Sequence, residues 1–426
     1  MKLSYCFSVL AFLSLTTQGA VRQAEVIPGE FIVKLKPGVL SAKNKNQLAN
    51  SLNAQIKNEF PSLNLISIKQ LNELKSTDSI YQSGLVEYVE PNYVYRMNKL
   101  PNDTSFKSLW GLKNTAQKDS AGAKGVVGFD INAEKAWDIT TGSKNLIVAV
   151  IDTGIDYEHP DLKANIWTNM KELNGKKGVD DDGNGVIDDI HGYNAITEDG
   201  NALDDQGHGS HCAGTIGGAG NNALGVAGVN WNTSLMAVKF LGADGSGSTE
   251  TAIKAIQYAT KMGAKVMSNS WGGGGFSQAL LDAISESNKA GALFVAAAGN
   301  SASNNDKLEN YPSNYDLPNI LAVSAIDNRG KLANFSSYGL KKVHIGAPGV
   351  NILSTTGGAY DSFSGTSMAT PHVAGVAALV WGNDPKLTAL ELKARLIATA
   401  KPIASLKGKV SSGGMVDAFA ALKAKK

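Results

Sequence analysis

Residues 146–156 read LIVAVIDTGID, and the first six form an apolar run with no polar residue to set one face apart from the other. A strand of that kind is buried on both faces, as in a parallel sheet covered by helices. Four more apolar runs follow: SLMAVKFL (234–241), KVMS (265–268), ALFVAAA (292–298) and ILAVSA (320–325). Between them lie stretches with helical spacing, TAIKAIQYATKM (251–262) and SQALLDAISESNKA (277–290), and an Ala-rich segment follows Ser367. Strands alternating with helices give an α/β class, a doubly wound parallel sheet spanning residues 126–421. Sites in such sheets lie beyond the C-terminal strand ends. Asp152 stands at such an end, immediately after the first run.

Working outward, the flanks differ. Residues 20–97 read as a small α+β segment, with EFIVKLKPG (30–38) as a strand ending in a Pro-Gly turn and LVEYVEPNYVYR (85–96) as β-rich alternation broken by Pro91. Residues 98–125 are polar and turn-rich and read as a linker and extension, and 422–426 as a tail. Residues 1–19 carry Lys2, the apolar run FSVLAFLSL (7–15) and then small residues, the pattern of a secretory signal peptide. No other run is long enough to cross a bilayer, so no membrane association is expected after its removal. Forty basic and 38 acidic residues leave a net charge of +2, which gives no reason to expect a nucleic-acid partner. The only cysteines are Cys6 and Cys212, which excludes a disulfide-stapled fold.

Three glycine-rich segments carry the chemistry. VIDTGID (150–156) holds Asp152, GHGSHCAGT (207–215) holds His208, and GTSMATPHVAG (365–375) places Ser367 at the start of an apolar helix. A serine hydroxyl needs a neutral imidazole to take its proton. The imidazole in turn needs a carboxylate to fix its tautomer. A helix start adds unpaired N–H groups where an oxyanion develops. Pro371 cannot donate to the Ser367 carbonyl four residues back. Thr366 reads either as a further hydroxyl at the site or as a helix cap.

With these motifs in the order Asp, His, Ser, residues 126–421 resemble the subtilisin-like serine proteases. FVAAAGN (294–300) matches a fourth family motif. The resemblance implies that Ser367 is the nucleophile, His208 the general base and acid, and Asp152 its orienting carboxylate. Asn300 and the Ser367 N–H would hold the oxyanion. It implies a cleft formed by LGADGSG (241–247), SNSWGGGG (268–275) and AAAG (296–299), with Gly245, Ser246, Gly247, Ser270, Trp271, Gly272, Ala297, Ala298 and Gly299 meeting substrate. Small residues there point to broad specificity, with a large apolar or aromatic side chain before the scissile bond. It further implies that residues 20–97 are an inhibitory propeptide, that the Tyr311–Pro312 bond is cis, and that the product is a secreted, monomeric endopeptidase acting on proteins or peptides.

VDDDGNGVIDD (179–189) offers oxygens at alternate positions: Asp180, Asp182, Asn184, the Val186 carbonyl and Asp188, with Gly185 at the sharp turn. The twelfth position of such a calcium loop is His191, not Glu, so Asp189 or another residue must complete the shell. The resemblance implies a second calcium site from Asp161, Asn222 and the carbonyls of Gly220, Leu224 and Val226, with no match for the family's N-terminal ligand. Calcium is thus the expected cofactor, in a structural role. His208 and His211 are three apart, but a zinc site needs a third ligand, and His211 reads as structural. Cys212 reads as a buried thiol beside His208, not the nucleophile, through which mercurials are expected to inhibit. A catalytically inactive calcium-binding protein on the same fold is the alternative, and the intact Asp152, His208, Ser367 and Asn300 argue against it. A serine esterase would carry G-x-S-x-G, whereas the residues around Ser367 read Gly-Thr-Ser-Met-Ala.

Overall fold

The structure is a computed structural model that describes residues 26–39, 42–51, 53–70, 84–94 and 100–424. The expected signal peptide (1–19) lies outside the described residues, as do 95–99, where the expected propeptide meets the expected linker. The chain divides into two compact units, Met1–Met97 and Asn98–Lys426.

The first unit is a four-stranded antiparallel sheet in the order β2-β3-β1-β4. Among the described residues its strands are β1 (Val26–Leu35), β2 (Ala54–Phe60), β3 (Leu65–Gln70) and β4 (Val86–Tyr93), with the helix α1 (Ala42–Ser51). Val33, Leu35, Leu48, Ile66, Ile68 and Val86 form its core. Pro91 does not end β4 but sits within it opposite Phe31. β4 is an edge strand, where the missing N–H breaks no interior ladder.

The second unit is built on a nine-stranded sheet. Its principal strands are β5 (Gly142–Asp152), β6 (Gly192–Asn194), β7 (Asn232–Lys239), β8 (Val266–Asn269), β9 (Leu293–Ala297), β10 (Ile320–Ile326) and β11 (Ile345–Pro348). A separate hairpin joins β12 (Ile352–Thr355) to β13 (Tyr360–Phe363), and short β14 (Lys401–Pro402) and β15 (Gly414–Met415) complete the sheet in the order β14-β15-β11-β10-β9-β8-β5-β7-β6. All neighbours are parallel except the edge pair β14–β15. The alternation along β5 shows why its apolar run is continuous. Val148 and Val150 pack into one core cluster, and Ala149 and Ile151 into another. Side chains pointing to opposite faces both find apolar cover. β7 lies on one side of β5 and β8 on the other, so the order of strands reverses at β5 and Asp152 ends the strand at that switch point.

Two boundaries differ from the sequence expectation. Residues 100–125 are not a free linker. Phe106, Leu109, Trp110 and Leu112 are buried in the main core, and the Trp110 indole donates to the Val350 carbonyl at 3.1 Å. A few large apolar side chains in a polar stretch suffice to anchor it, because each gains ~1.5–3 kcal/mol on burial. At the other end, the helix Ala418–Lys423 carries Leu422 against the core, so the chain is still packed where a tail was expected.

Candidate active site

Asp152 is fully buried, and its Oδ1 lies 2.7 Å from His208 Nδ1. Oδ1 also accepts the Thr153 N–H at 2.8 Å. His208 is the first residue of α2 (His208–Gly217), and Gly209 allows this helix to sit against β5. A β-carbon at Gly209 would stand 2.1 Å from the Gly154 carbonyl oxygen and 3.2 Å from Asp152 Cβ. Burial disfavours the charged imidazole, but the charge and hydrogen bond of Asp152, aided by Asp204, outweigh it and raise the His208 pKa. His208 Nε2 makes no hydrogen bond among the described residues.

After α3 (Thr249–Lys261) and α4 (Gln278–Lys289), Ser367 is the second residue of α5 (Thr366–Asn383), a helix buried almost all round. Its hydroxyl donates to the Ser270 carbonyl at 2.9 Å and not to His208. The carbonyl that Pro371 leaves without a helical partner accepts the Ser270 hydroxyl at 2.8 Å and the Cys212 thiol at 3.5 Å. The Thr366 N–H and hydroxyl both donate to Asn300 Oδ1 at 2.9 Å. Since a backbone N–H only donates, this fixes the amide orientation and leaves Asn300 Nδ2 unengaged among the described residues. The Thr366 hydroxyl also accepts the Gly299 N–H at 3.2 Å, so this side chain ties β9's end to α5 and is more than a cap.

His208, Asn300 and Ser367 line one groove of about 830 Å³, with Gly245, Ser246, Gly247, Ser270, Trp271, Gly272, Ala297 and Gly299. Ala298 does not join them. It is fully buried and packs with Ala322, Ile326 and Val343 on the other side. Successive residues of an extended segment point to opposite faces, so Ala297 and Ala298 cannot both face the groove. Asn310 does line it, and the sequence reading did not single it out. Its carboxamide lies between two groove glycines: a β-carbon on Gly272 or on Gly299 would stand 3.1 Å from its nearest atom. The neighbouring Tyr311–Pro312 bond is cis, as expected.

His211 and Cys212 are both buried. His211 Nε2 bonds the Ile352 carbonyl at 2.8 Å, the ring stacks on Phe363, and burial pushes its pKa down to about 4. The Cys212 thiol lies beside Asp152 and His208, one ligand atom of each being within 4.8 Å of the others. Burial pushes its pKa well up, so it is a neutral thiol.

The acidic loop converges differently from the sequence expectation. Asp180 and Asp182 come together with Glu172, a buried residue that the loop's spacing could not reveal. N–H groups of Gly185, Asn184 and Gly183 hold the Asp180 carboxyl below its usual range. Asp188 adopts a φ of +55°, and its carboxylate turns back to the Gly178 N–H. Asn184 gives its oxygen to the Val186 N–H and its amide to Asp189. Asp189 is buried, which pushes its pKa up, and it accepts the Tyr258 hydroxyl. Its carboxylate is thus taken up by hydrogen bonds from Asn169, Asn184 and Tyr258.

In the second loop Asp161 is fully buried and accepts from Asn222 Nδ2, the Val226 N–H and the Tyr360 hydroxyl. A β-carbon at Gly220 would strike the Trp231 ring at 2.4 Å, and the Leu224 carbonyl accepts the Thr104 N–H. That pairing brings in Asp103. Its Oδ2 accepts the Asn221 N–H at 2.6 Å, and its Oδ1 is buried without a partner among the described residues. Burial, with the charge of Asp161, raises its pKa. Asp103 thus reaches this loop from the start of the second unit.

The subtilase family model matches residues 143–418, and a fervidolysin N-terminal prodomain model matches residues 14–92. A thermophilic serine proteinase of Bacillus sp. strain AK1 is 35% identical over 83% of this chain and 78% of its own length. A halolysin-like extracellular serine protease of Natrialba magadii is 32% identical over 91% of this chain and 66% of its own. A solved protease structure from Pseudoalteromonas arctica is 30% identical, with a TM-score of 0.60, over 76% of this chain and 99% of that one. The chain spans about half the length of some other relatives. With the family model covering the whole sheet and the groove at its switch point, the chain belongs to the subtilase family of serine proteases.

Proposed function

We propose that this chain is the precursor of a secreted serine endopeptidase that cuts peptide bonds through an acyl-enzyme. The observation that carries the reading is the buried Asp152 carboxylate 2.7 Å from His208 Nδ1, on the groove that also holds Ser367 and Asn300. Asp152 accepts the Nδ1 proton, so the neutral imidazole keeps its lone pair at Nε2. The Ser367 hydroxyl leaves the Ser270 carbonyl, passes its proton to Nε2 and attacks the scissile carbonyl carbon. His208 returns the proton to the leaving amine. Water, activated by the same imidazole, then releases the acyl group from Ser367. The oxyanion meets Asn300 Nδ2 and the Ser367 N–H at the start of α5. Losing one such donor typically costs about 3 kcal/mol of barrier.

Substrate lies extended along the glycine-rich segments 245–247 and 272–275, held by its backbone, which supports broad specificity. The pocket for the side chain before the scissile bond is shorter than its small-residue lining implies. The Asn310 carboxamide lies close to both Gly272 and Gly299, and we take it to compete for this space with a large aromatic ring. A short or polar side chain fits this better than the aromatic one expected from sequence.

Residues 20–97 act as an intramolecular inhibitor that is removed on maturation, and the prodomain match ahead of the catalytic domain supports this. Calcium suits both acidic loops, because hard oxygen donors converge there. Glu172, Asp180 and Asp182 would hold one ion. Asp103, Asp161 and Asn222 would hold another: Asn222 bonds Asp161, the charge of Asp161 acts on Asp103, and Asp103 Oδ1 has no partner among the described residues. Bound calcium supplies positive charge that offsets carboxylate repulsion and locks the loops.

A fluorophosphonate reagent and casein test the reading. The matured protein is expected to digest casein and to take one label per chain, on Ser367. Ser367→Ala should lose both while its melting temperature holds. Digestion by the Ser367→Ala protein would overturn it.

A further inference from the structure

α2 begins on His208, so the N–H groups of its first turn have no partners within the helix. Its N-cap is Gly207, at φ +101°, which has no side chain to offer them. Each is satisfied from elsewhere. The His208 N–H donates to Gln206 Oε1 at 2.9 Å, the Gly209 N–H to Thr153 Oγ1 at 2.9 Å, and the Ser210 N–H to Asp204 Oδ2 at 2.9 Å. Asp204 gathers most of the remainder. Its Oδ1 accepts the N–H groups of Gln206 and Gly207 at 3.0 and 2.9 Å, and its Oδ2 accepts the Ser210 hydroxyl at 2.6 Å.

One further bond leaves the loop. The Thr153 hydroxyl donates to Asp204 Oδ1 at 2.8 Å. Thr153 follows Asp152 in the chain, and its N–H donates to Asp152 Oδ1. Hydrogen bonds therefore run from Asp152 through Thr153 and Asp204 to the first turn of α2, beside the direct contact between Asp152 and His208. The two routes join the same strand end to the same helix start.

We propose that Asp204 is a positioning residue for His208: its carboxylate locks the start of α2 to the end of β5 and adds a second negative charge beside the imidazole. The inference rests on the reading of Asp152, His208 and Ser367 as a catalytic triad. A neutral cap would serve the helix alone. A charged one accepts stronger hydrogen bonds and also favours the imidazolium that forms during catalysis.

The groups around the imidazole allow the charge to count. Asp152 faces it from β5 and Cys212 from the next turn of α2, while Asp204, bonded to the first turn of that helix, is near enough for its charge to favour the imidazolium. His211, on the same helix, is held neutral by burial, as is the Cys212 thiol. Lys239 on β7 is engaged by Asp205 and by the carbonyls of Thr153 and Leu241. Asp204 stays ionised because its donors, Ser210 foremost, outweigh the burial that opposes its charge.

The test is kcat/KM against pH for the matured wild type, Asp204→Asn, Thr153→Val and Thr153→Ser, with sites counted by fluorophosphonate titration. The neutral imidazole is the base, so activity rises with pH through the His208 pKa. Removing the Asp204 charge lowers that pKa. The acid limb of Asp204→Asn should therefore move to lower pH, while kcat per titrated site falls at least tenfold and KM changes less than threefold. Thr153→Val keeps the charge and breaks the bridge. It should lose kcat with its acid limb unmoved, and Thr153→Ser should recover most of that loss. An acid limb that stays in place in Asp204→Asn overturns the proposal. So does equal kcat in the two Thr153 variants, which decides the matter if Asp204→Asn does not fold. A wild type that neither cuts peptide nor takes the label would instead refute the triad reading itself.

Discussion

Asn310 shows how one side chain can redirect a binding site. The small residues Ala297 and Gly299 suggest a deep pocket, but room between backbones belongs to whichever neighbour fills it, and here that is the Asn310 carboxamide. Its Nδ2 donates to the Ser313 hydroxyl at 3.2 Å, so the group is held in place. Removing it in Asn310→Gly should open the pocket. The ratio of kcat/KM for peptides with Phe, against those with Thr, before the scissile bond should rise roughly tenfold, the scale of one pocket contact. A ratio unchanged within twofold would show that Asn310 does not limit the pocket. Thr366 is a second case. From sequence its hydroxyl reads equally as a cap or as part of the site. Only its contacts with Asn300 and Gly299, far away in the chain, decide for the latter.

At the scale of elements, the junction of α2 with β5 governs the distance between Asp152 and His208. Gly209 makes the close approach possible, since any β-carbon there meets the Gly154 carbonyl. A backbone atom cannot swing aside as a side-chain tip can. Gly209→Ala should therefore push α2 away from β5, with a stability loss of ~1–3 kcal/mol and at least a tenfold fall in kcat. Urea unfolding and peptide hydrolysis would measure the two effects, and a variant with wild-type values in both would show that the junction has slack. α5 reaches its active geometry by a different device. Pro371 removes one helical hydrogen bond, and side chains from β8's end and α2 repair the loss at the Ser367 carbonyl.

For the whole molecule, the acidic loops tie distant segments together. One joins Glu172 to the 180–189 turn, and the other joins Asp103, near the start of the catalytic unit, to the 220–226 loop. Neither set includes a triad residue. Chelation by EDTA should lower the melting temperature while leaving peptide hydrolysis at low temperature intact. A ligand present at 100 times its Kd stabilises by ~2.7 kcal/mol. Glu172→Gln should reduce the chelator-sensitive part, and a melting temperature indifferent to EDTA would remove calcium from both loops. By itself the sequence determined the layered α/β sheet, through apolar runs such as 146–151 that cannot be half exposed, and it singled out Asp152, His208, Ser367 and Asn300, which the fold gathers at one groove, through short motifs at strand and helix ends. It also placed Pro371 and the cis Tyr311–Pro312 bond, the latter through family resemblance. Only the tertiary structure decided that Ala298 faces the core, that residues 100–125 are packed, that Asn310 lines the groove, and that Asp204 meets Thr153, Glu172 meets Asp180 and Asp182, and Asp103 meets the 220–226 loop. Local spacing records which side chains share a strand or a helix face. It does not record which meet through space, and the Asp204–Thr153 and Asp103–Asn221 bonds span 51 and 118 residues of chain.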